Sequence, residues 1–342
     1  MTAPATDALL GRPGEHLAAG RILDRARELV APALSDAVAT LHPWVAEMAG
    51  YALGRHGADT GPRGGKGVRQ ALALLGAELA GAPADTGVPA AVAVELVHAF
   101  SLVHDDIMDG DALRRGRPAL WKAYGTGPAV LAGDALFALG VETLSTVPSA
   151  VRRLTGALGD LVHGQADDLL FARRPWTGPE AVTIQEYEAM AERKTGALLG
   201  CALALGAHLG GASDGTAAAL DRVGRHLGVA FQIVDDLLGI WGDPEITGKP
   251  VHGDLREGKK TFPVLAALGG SHGPELAELL TAGDAAERAA DLVARSGGRA
   301  AALRETRRQL ALADALLDSV PSSPRAAADV RGLLSALTRR TV

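Results

Sequence analysis

Apolar residues recur at three- and four-residue spacing through most of the chain, and this periodicity restricts its fold more than any other feature. Hydrophobic residues make up 47% of the sequence but aromatic residues only 4%, so the core must consist mainly of alanine, leucine and valine. Alanine and leucine have the strongest intrinsic preference for helices. No segment of strand length alternates convincingly between apolar and polar residues. The sequence therefore predicts an all-α protein.

Short segments rich in Gly, Pro, Ser and Asp separate the helical segments, and none is long enough to be a linker between domains. We therefore expect a single all-α domain over residues 16–342. Residues 1–15 are rich in Ala, Pro and Gly, a composition typical of a disordered, solvated tail. Docking of this tail on a partner is the alternative interpretation.

The charge distribution and the single cysteine narrow the class of protein. The net charge is −6, and no basic stripe of the kind that follows a nucleic-acid backbone is present, so we expect no nucleic-acid partner. Cys201 is the only cysteine, which excludes an intrachain disulfide and fits a reducing, cytoplasmic location. The N-terminus does not resemble a secretory signal, and the weakly charged stretch 195–211 is short for a membrane span. We therefore expect no transmembrane segment.

A first acidic cluster closes a predicted helix that begins near Val88. Asp105 and Asp109 are four residues apart, so their carboxylates share one helix face, and Asp106 lies beside them. Two carboxylates on one face repel each other unless a cation lies between them. Oxygen ligands suit Mg²⁺, which takes one or two carboxylates and completes its shell with water and substrate phosphate. A solvated acidic helix end is the alternative for this motif alone.

A second acidic pair, Asp235 and Asp236, follows the apolar helical segment 227–234. Ionised carboxylates on or near a buried helix are costly unless they are paired or bind a metal. Helix bundles build carboxylate metal sites from clusters on separate helices. We therefore expect the two clusters to face one cavity and to hold several metal ions.

Basic residues accompany both acidic clusters. Each could be an ordinary surface charge, but carboxylates of the magnesium-binding type together with dispersed Lys and Arg are what a diphosphate requires. Metal ions bridge its oxygens, and Lys or Arg neutralises the remaining charge. The candidates are Lys66, Arg69, Arg114, Arg115, Arg117, Lys194, Lys249, Lys259 and Lys260.

These motifs, in this order, resemble those of the trans-prenyl diphosphate synthase (polyprenyl synthetase) family over roughly residues 60–265. The matching segments are Asp105–Asp109, Arg114–Gly116, Gly164–Asp168, Lys194–Thr195, Phe231–Asp236, Gly242–Pro244 and Thr247–Pro250. The resemblance implies a helical bundle of the isoprenoid synthase type with a deep central cavity. It implies a magnesium-dependent homodimer that condenses isopentenyl diphosphate with an allylic diphosphate to give a linear trans-prenyl diphosphate.

The resemblance also implies roles for individual residues. The catalytic residues would be Asp105, Asp106, Asp109, Lys194, Asp235 and Asp236, and three metal ions would be bound by Asp105, Asp109, Asp168 and Asp235. The allylic diphosphate would contact Arg114, Lys194 and Lys249, and the isopentenyl diphosphate would contact Lys66, Arg69, His98 and Arg115. Thr195, Gln232 and Lys259 complete the substrate-binding set. His98 precedes Asp105 by seven residues, about two turns, and so shares its helix face.

The sequence departs from the family pattern at three positions. Gly67 stands where the family often has arginine, and Gln70 where it usually has proline. Because Lys66 and Arg69 remain, we expect weakened but not abolished binding of isopentenyl diphosphate. Gly239 stands where the second motif normally ends in a third aspartate, so we expect an altered metal affinity or rate.

Product length is expected to depend on residues before the first acidic cluster. Ser101, Phe100 and Val97 precede Asp105 by four, five and eight residues, which places them roughly one and two helical turns deeper. Ser101 is small enough to let the chain pass, Phe100 is large enough to act as a floor, and Val97 would not block a longer chain. We expect a mid-length product, C20 before C15. The alternative is that Phe100 only packs between helices.

Two alternative functions use the same scaffold. A terpene cyclase would ionise one diphosphate and close the chain on itself, so it needs no second diphosphate pocket. A non-catalytic subunit of a heteromeric synthase is expected to have lost the first acidic cluster, which is intact here.

Overall fold

The computed structural model describes residues 13–54, 67–243, 251–283 and 285–338. In these ranges most of the chain is helical, and the strands are those of a short antiparallel hairpin, β1 (Leu113–Arg114) and β2 (Arg117–Pro118). The helices are α1 (Pro13–Ala39), α2 (Pro43–Ala52), α3 (Val68–Leu79), α4 (Val88–Asp109), α5 (Leu120–Tyr124), α6 (Thr126–Glu142), α7 (Pro148–Phe171), α8 (Ile184–Ala191), α9 (Ala197–Leu209), α10 (Asp214–Trp241), α11 (Gly253–Arg256), α12 (Phe262–Leu268), α13 (Gly273–Ala282), α14 (Ala286–Arg295), α15 (Gly298–Asp318) and α16 (Pro324–Thr338). The predicted all-α class is confirmed.

The first helix begins slightly earlier than the sequence predicts. α1 starts at Pro13, whereas the predicted tail extends to residue 15. Proline is favourable at a helix start because the first N–H groups have no intrahelical partner to lose. Residues 1–12, which carry the rest of the predicted tail, lie outside the described ranges.

The centre of the bundle is α9, in which every residue from Ala197 to Ala207 is buried. A helix that is apolar on all sides belongs in the interior, and α3, α7 and α10 pack around it. Glycines let these backbones approach closely. A Cβ added at Gly206 would lie 1.8 Å from the carbonyl oxygen of Ala73, and one at Gly224 would lie 2.4 Å from Cα of Gly200. The first contact sets the approach of α9 to α3, and the second sets the approach of α10 to α9.

Helix α4 places the first acidic cluster at the edge of the core. It ends after Asp109 because Gly110 adopts a left-handed conformation with φ of 72°, the usual C-terminal stop of a helix. The segment Ala84–Asp109 is long and apolar enough to cross a membrane by length and composition, but 61% of that window is buried inside the protein. It packs against α3, α6 and α9, as a core helix does.

Candidate active site

Three carboxylates lie near one another at the C-terminal ends of two helices. Asp105 and Asp109 lie in the last turns of α4, and Asp168 lies in the last turn of α7. Burial raises the pKa of Asp105 to about 6, and repulsion from Asp109 and Asp168 adds to the effect of burial, against the attraction of Lys194 and Arg114. The carbonyl end of a helix is also negative, which disfavours a carboxylate further. This corner of the molecule therefore requires positive charge.

Lys194, which lies in a π-helical turn, supplies part of that positive charge. Residues Glu192–Gly196 form a single π-helical turn between α8 and α9, a distortion that is frequent at functional sites. The Nζ of Lys194 lies 2.5 Å from Oδ2 of Asp168. Burial alone would lower the pKa of Lys194, but Asp168, Asp105 and Asp109 outweigh that effect and raise it. Lys194 is therefore held as a cation among the three carboxylates.

The side chain of Asp106 points differently from those of its neighbours. It is 2% exposed, and its Oδ1 accepts a hydrogen bond of 2.6 Å from Nε of Arg114. This ion pair ties the end of α4 to the β1–β2 hairpin. Asp106 therefore orients Arg114, while Asp105 and Asp109 remain on the side of Lys194.

Asp235 and Asp236 on α10 lie in opposite environments. Asp235 is exposed, and its charge, after that of Glu95, opposes the lowering of the pKa of Arg69 that burial causes. Asp236 is 4% exposed and accepts hydrogen bonds from Tyr187, the Phe262 amide and Gln232. Burial, followed by repulsion from Asp254, raises the pKa of Asp236 to about 7, although these hydrogen bonds oppose the rise.

Arg69, His98 and Arg115 form a second group of residues, which interact electrostatically with one another, and the two arginines also interact with Glu95. Burial lowers the pKa of Arg69 to about 10, and its buried Nε has no hydrogen-bond partner within the described part of the chain. Burial, Arg69 and Arg115 together hold the pKa of His98 well below its ordinary value, so the ring is neutral. Arg115 has a φ of 54°, an uncommon conformation for a residue with a side chain. An anion would relieve both the repulsion between the cations and the unpaired donor.

Comparison with known proteins identifies the family. The sequence matches the polyprenyl synthetase family over residues 52–295, which is more than half of the chain. The chain belongs to the polyprenyl synthetase family. It is 45% identical to a geranylgeranyl diphosphate synthase of Mycobacterium tuberculosis, over 88% of this chain and 89% of the relative. It is 41% identical to a (2E,6E)-farnesyl diphosphate synthase of the same species, over 91% and 90% of the two chains.

Solved structures agree with this assignment. A crystal structure of a polyprenyl synthetase from Streptomyces coelicolor A3(2) superposes with a TM-score of 0.85 at 44% identity, covering 93% of this chain and 98% of that one. A geranylgeranyl pyrophosphate synthetase from Pyrococcus horikoshii superposes with a TM-score of 0.81 at 30% identity, covering 93% and 98%. The helical bundle described above is therefore the fold of this family.

Two of the predicted substrate-binding residues of this polyprenyl synthetase, Lys66 and Lys249, lie outside the described residues. Lys259 is described: its Nζ lies 2.8 Å from Oε2 of Glu257 and 3.9 Å from Oδ1 of Asp254. Burial would lower the pKa of Lys259, but Glu257, Asp254 and Asp109 raise it. Because Asp109 contributes to this rise, Lys259 lies near the end of α4. That the two acidic clusters face one cavity stays a prediction.

The predicted length determinants occupy different surroundings. Val97 is fully buried, and Ser101 is buried and donates a hydrogen bond to the carbonyl oxygen of His98. Phe100 is half-buried, and its ring centroid lies 5.5 Å from that of Phe137 on α6 and 5.0 Å from that of His104. Phe100 thus packs between α4 and α6, and its role as the floor of the cavity stays a prediction.

Asp254 lies beside the second acidic cluster, and the sequence analysis missed it. It is 7% exposed, and a Cβ added at Gly239 would lie 1.9 Å from its Oδ2 and 2.4 Å from its Cγ. The carboxylate of Asp254 therefore occupies the space into which a side chain at position 239 would project. The glycine at position 239, where the second motif normally ends in a third aspartate, was the signal that could have revealed Asp254. A missing carboxylate suggests that an acidic residue elsewhere in the chain takes its place.

The glycine at position 67 also has a local explanation. Gly67 precedes α3 with a φ of 69°, a left-handed conformation that glycine adopts without a steric penalty. A Cβ there would lie 3.2 Å from Cγ of Arg27. An arginine at this position would require a different entry into α3.

The donor set fits magnesium, provided that substrate completes the shell. The carboxylates around Lys194 offer hard oxygen ligands, which Mg²⁺ prefers. Within the described part of the chain, no three acidic, His or Cys side chains converge closely enough to hold a metal ion by themselves. Mg²⁺ commonly binds through one or two carboxylates, with water and substrate phosphate as its other ligands. A divalent cation bridging to a diphosphate is consistent with this arrangement.

Proposed function

We propose that this protein condenses isopentenyl diphosphate with an allylic diphosphate, giving a mid-length linear trans-prenyl diphosphate and releasing diphosphate. The observation that carries the proposal is the presence of two differently built charge sites. One is a carboxylate cluster with Lys194, suited to a metal-bound diphosphate, and the other is the cationic pocket of Arg69, His98 and Arg115. Two diphosphate substrates require two such sites.

Magnesium, with three ions per site, is the metal that best suits the first site. Asp105, Asp109, Asp168 and Asp235 are the residues that would hold it. When bound, it supplies positive charge that stabilises the departing diphosphate. Lys194, Lys259 and Arg114 add charge from the protein as the allylic carbon–oxygen bond breaks, and Lys249 belongs to the same set by resemblance.

The second substrate is held by the cationic pocket. Arg69 and Arg115 neutralise the isopentenyl diphosphate, and the neutral ring of His98 donates a hydrogen bond without adding further charge. The double bond of isopentenyl diphosphate then attacks the allylic cation, and a proton leaves to the released diphosphate. The surrounding Ala- and Leu-rich helices keep water away from the cation.

The product we favour is C20, with C15 second. In the sequence, the large Phe100 and the small Ser101 precede Asp105 by five and four residues. The relatives that make geranylgeranyl and farnesyl diphosphate are 45% and 41% identical to this chain. Both observations support a product of medium length.

We further propose that two copies associate through the outer faces of α6 and α7. α6 packs its inner face on α4, yet its outer face is also apolar. These two outer faces carry half of the large hydrophobic side chains that are exposed among the described residues: Val130, Leu131, Phe137, Val162, Leu169 and Leu170. A symmetric partner would cover this apolar surface. A cytoplasmic location suits an enzyme with one buried cysteine and these water-soluble substrates.

Product analysis tests the proposal. The purified protein is incubated with Mg²⁺, isopentenyl diphosphate and dimethylallyl, geranyl or farnesyl diphosphate, and the products are identified by mass. Linear prenyl diphosphates support a synthase, whereas hydrocarbons would indicate a terpene cyclase. Product formed only after a second protein is added would indicate a subunit of a heteromeric enzyme. Asp105→Ala and Asp235→Ala should each lower turnover by several orders of magnitude while the helical content is retained.

A further inference from the structure

The buried carboxylate of Asp236 has three hydrogen-bond donors around it. The Tyr187 hydroxyl donates to Oδ2 at 2.5 Å, and the backbone N–H of Phe262 donates to the same oxygen at 2.9 Å. The side-chain nitrogen of Gln232 donates to Oδ1 at 3.2 Å. Tyr187 is 1% exposed, so this network lies in the protein interior. Both oxygens of Asp236 are therefore engaged by the protein itself.

This arrangement fixes which way the amide of Gln232 points. The three donors favour the ionised form of Asp236, which only accepts hydrogen bonds. That form selects the NH₂ group of Gln232 and turns its carbonyl oxygen to the other side. There, Oε1 of Gln232 accepts a hydrogen bond of 2.8 Å from the hydroxyl of Thr195. Because that hydroxyl uses its hydrogen on Gln232, its remaining free positions are lone pairs.

The two oxygens lie close in the chain to the carboxylate site, because Thr195 is adjacent to Lys194. Thr195 follows Lys194 in the π-helical turn, and Nζ of Lys194 reaches Asp168. The carbonyl oxygen of Gln232 and the hydroxyl oxygen of Thr195 are the negative ends of two dipoles. Both are therefore held close to Lys194, which binds the leaving diphosphate in the proposed reaction. Dipoles that are fixed before reaction stabilise a developing charge without having to reorganise.

We propose that Asp236 and Tyr187 are positioning residues that set the polarity of Gln232, so that the oxygens of Gln232 and Thr195 face the allylic cation. The inference rests on the proposed prenyl transfer, in which that cation forms. It gives Asp236 a different task from Asp235, although the two are adjacent. Tyr187 acquires a role that nothing in its sequence surroundings suggests.

Asp236→Asn tests the polarity directly, because it keeps the shape of the side chain. The N–H of Phe262 can only donate, so the oxygen of the new amide must stay next to it. The amide nitrogen then faces the NH₂ group of Gln232. Two donors cannot pair, so Gln232 must turn over and present N–H groups to the cavity. We expect kcat to fall about 100-fold, the typical effect of losing one preorganised dipole, with little change in KM for either substrate.

A second substitution should restore what the first removes. In the Asp236→Asn background, Gln232→Glu provides a carboxylate that accepts from both the new amide and Thr195. We expect kcat of the double variant to exceed that of Asp236→Asn by about tenfold, whereas Gln232→Glu alone sets two carboxylates against each other and is impaired. Such a reversal of sign is the mark of direct coupling between the two positions. A folded double variant no more active than Asp236→Asn would overturn the proposal.

Asp235→Asn is the matched control for the loss of charge. It removes one carboxylate from the exposed neighbour, so it should raise the magnesium concentration that turnover requires. Adding Gln232→Glu to Asp235→Asn should not restore kcat. Asp236→Asn should stay slow at saturating magnesium. Full recovery of Asp236→Asn at high magnesium would place Asp236 among the metal ligands and contradict the inference.

Binding of unreactive analogues separates polarity from a general loss of structure. An allylic analogue with a protonated amine at the cationic carbon, bound together with diphosphate, is compared with an uncharged thio analogue of the same length. Asp236→Asn should lose most of the wild-type preference for the cationic analogue, whereas a loss of packing would weaken both analogues equally. An unchanged preference would refute the inference. Tyr187→Phe, which keeps the ring contact with Phe262, should reduce the preference partly.

A tyrosine outside this network provides the control for Tyr187. The Tyr124 hydroxyl donates to Glu47 at 2.9 Å near α5, away from Gln232, so Tyr124→Phe should keep the wild-type preference and kcat. The wild-type product assay reports on the proposed function separately. If the wild-type protein makes no prenyl diphosphate, the proposed function fails. If it does and the analogue preference is unchanged in Asp236→Asn, only the inference fails.

Discussion

Substitution of Gly239 tests whether Asp254 fills the place of the missing aspartate. In Gly239→Ala the new Cβ would lie 1.9 Å from Oδ2 and 2.4 Å from Cγ of Asp254, so the carboxylate must move by more than an ångström. Asp254 is buried and cannot swing into solvent. Overpacking of this kind costs about 1–3 kcal/mol of unfolding free energy, measured by denaturant titration. Displacing a group beside the proposed metal site should also raise the Mg²⁺ concentration required for half-maximal turnover about 10–100-fold.

Gly332→Ala is the matched control. Gly332 also lies inside a helix, α16, but no atom lies within 4 Å of its added Cβ. There the helix preference of alanine should stabilise the protein by about 0.5–1 kcal/mol. Gly239→Asp, the residue that the family usually has, should be worse than Gly239→Ala because it brings a second carboxylate against Asp254. A Gly239→Ala protein with wild-type stability and magnesium dependence would refute this account of the site.

Four further substitutions or additions probe other parts of the molecule. Arg69→Ala should raise KM for isopentenyl diphosphate far more than KM for the allylic substrate, and equal effects on both would contradict the division into two pockets. Phe100→Ala should lengthen the product by at least one five-carbon unit, and a folded variant with an unchanged product would remove Phe100 as the floor. Glu186→Gln should cost about 1 kcal/mol at pH 7, because hydrogen bonds from Arg174 and Thr183 lower the pKa of Glu186 to about 2. That stability is present above the unfolded pKa near 4.5 and is lost as pH falls towards 2, so the wild-type and variant denaturation midpoints should converge at pH 2. Mg²⁺ with diphosphate should raise the melting temperature, because a ligand at about a hundred times its Kd stabilises the folded state by about 2.7 kcal/mol. Mg²⁺ alone should have little effect. An equal rise with Mg²⁺ alone would show a preformed metal site.

The features that could be predicted from the sequence are those that depend on neighbours along one helix. The all-α class follows from apolar spacing, and the end of α4 after Asp109 follows from the glycine at position 110. The shared face of Asp105 and Asp109 follows from their four-residue separation. Each of these inferences uses only the geometry of a single helix, which the local sequence determines.

The features that could not be predicted depend on how separate helices pack. Tyr187 and Asp236 are 49 residues apart, and nothing near Tyr187 indicates that its hydroxyl reaches α10. Asp254 faces Gly239 only because α11 folds back on the end of α10. The π-helical turn that carries Lys194 adds a distortion that periodicity cannot detect. In each case the partner is chosen by tertiary packing.

The contrast between Asp235 and Asp236 shows how packing assigns function to identical side chains. Adjacent residues on a helix point about 100° apart, so two neighbouring aspartates meet different surroundings. The rotation of α10 about its axis decides which of the two is buried. That rotation is fixed where Gly228 meets the backbone of Gly196, because a Cβ at position 228 would lie 2.2 Å from Cα of Gly196. The same contact holds the π-helical turn against α10. This close approach of two glycines therefore leaves Asp235 exposed. It also buries Asp236, which lies one helical turn after Gln232.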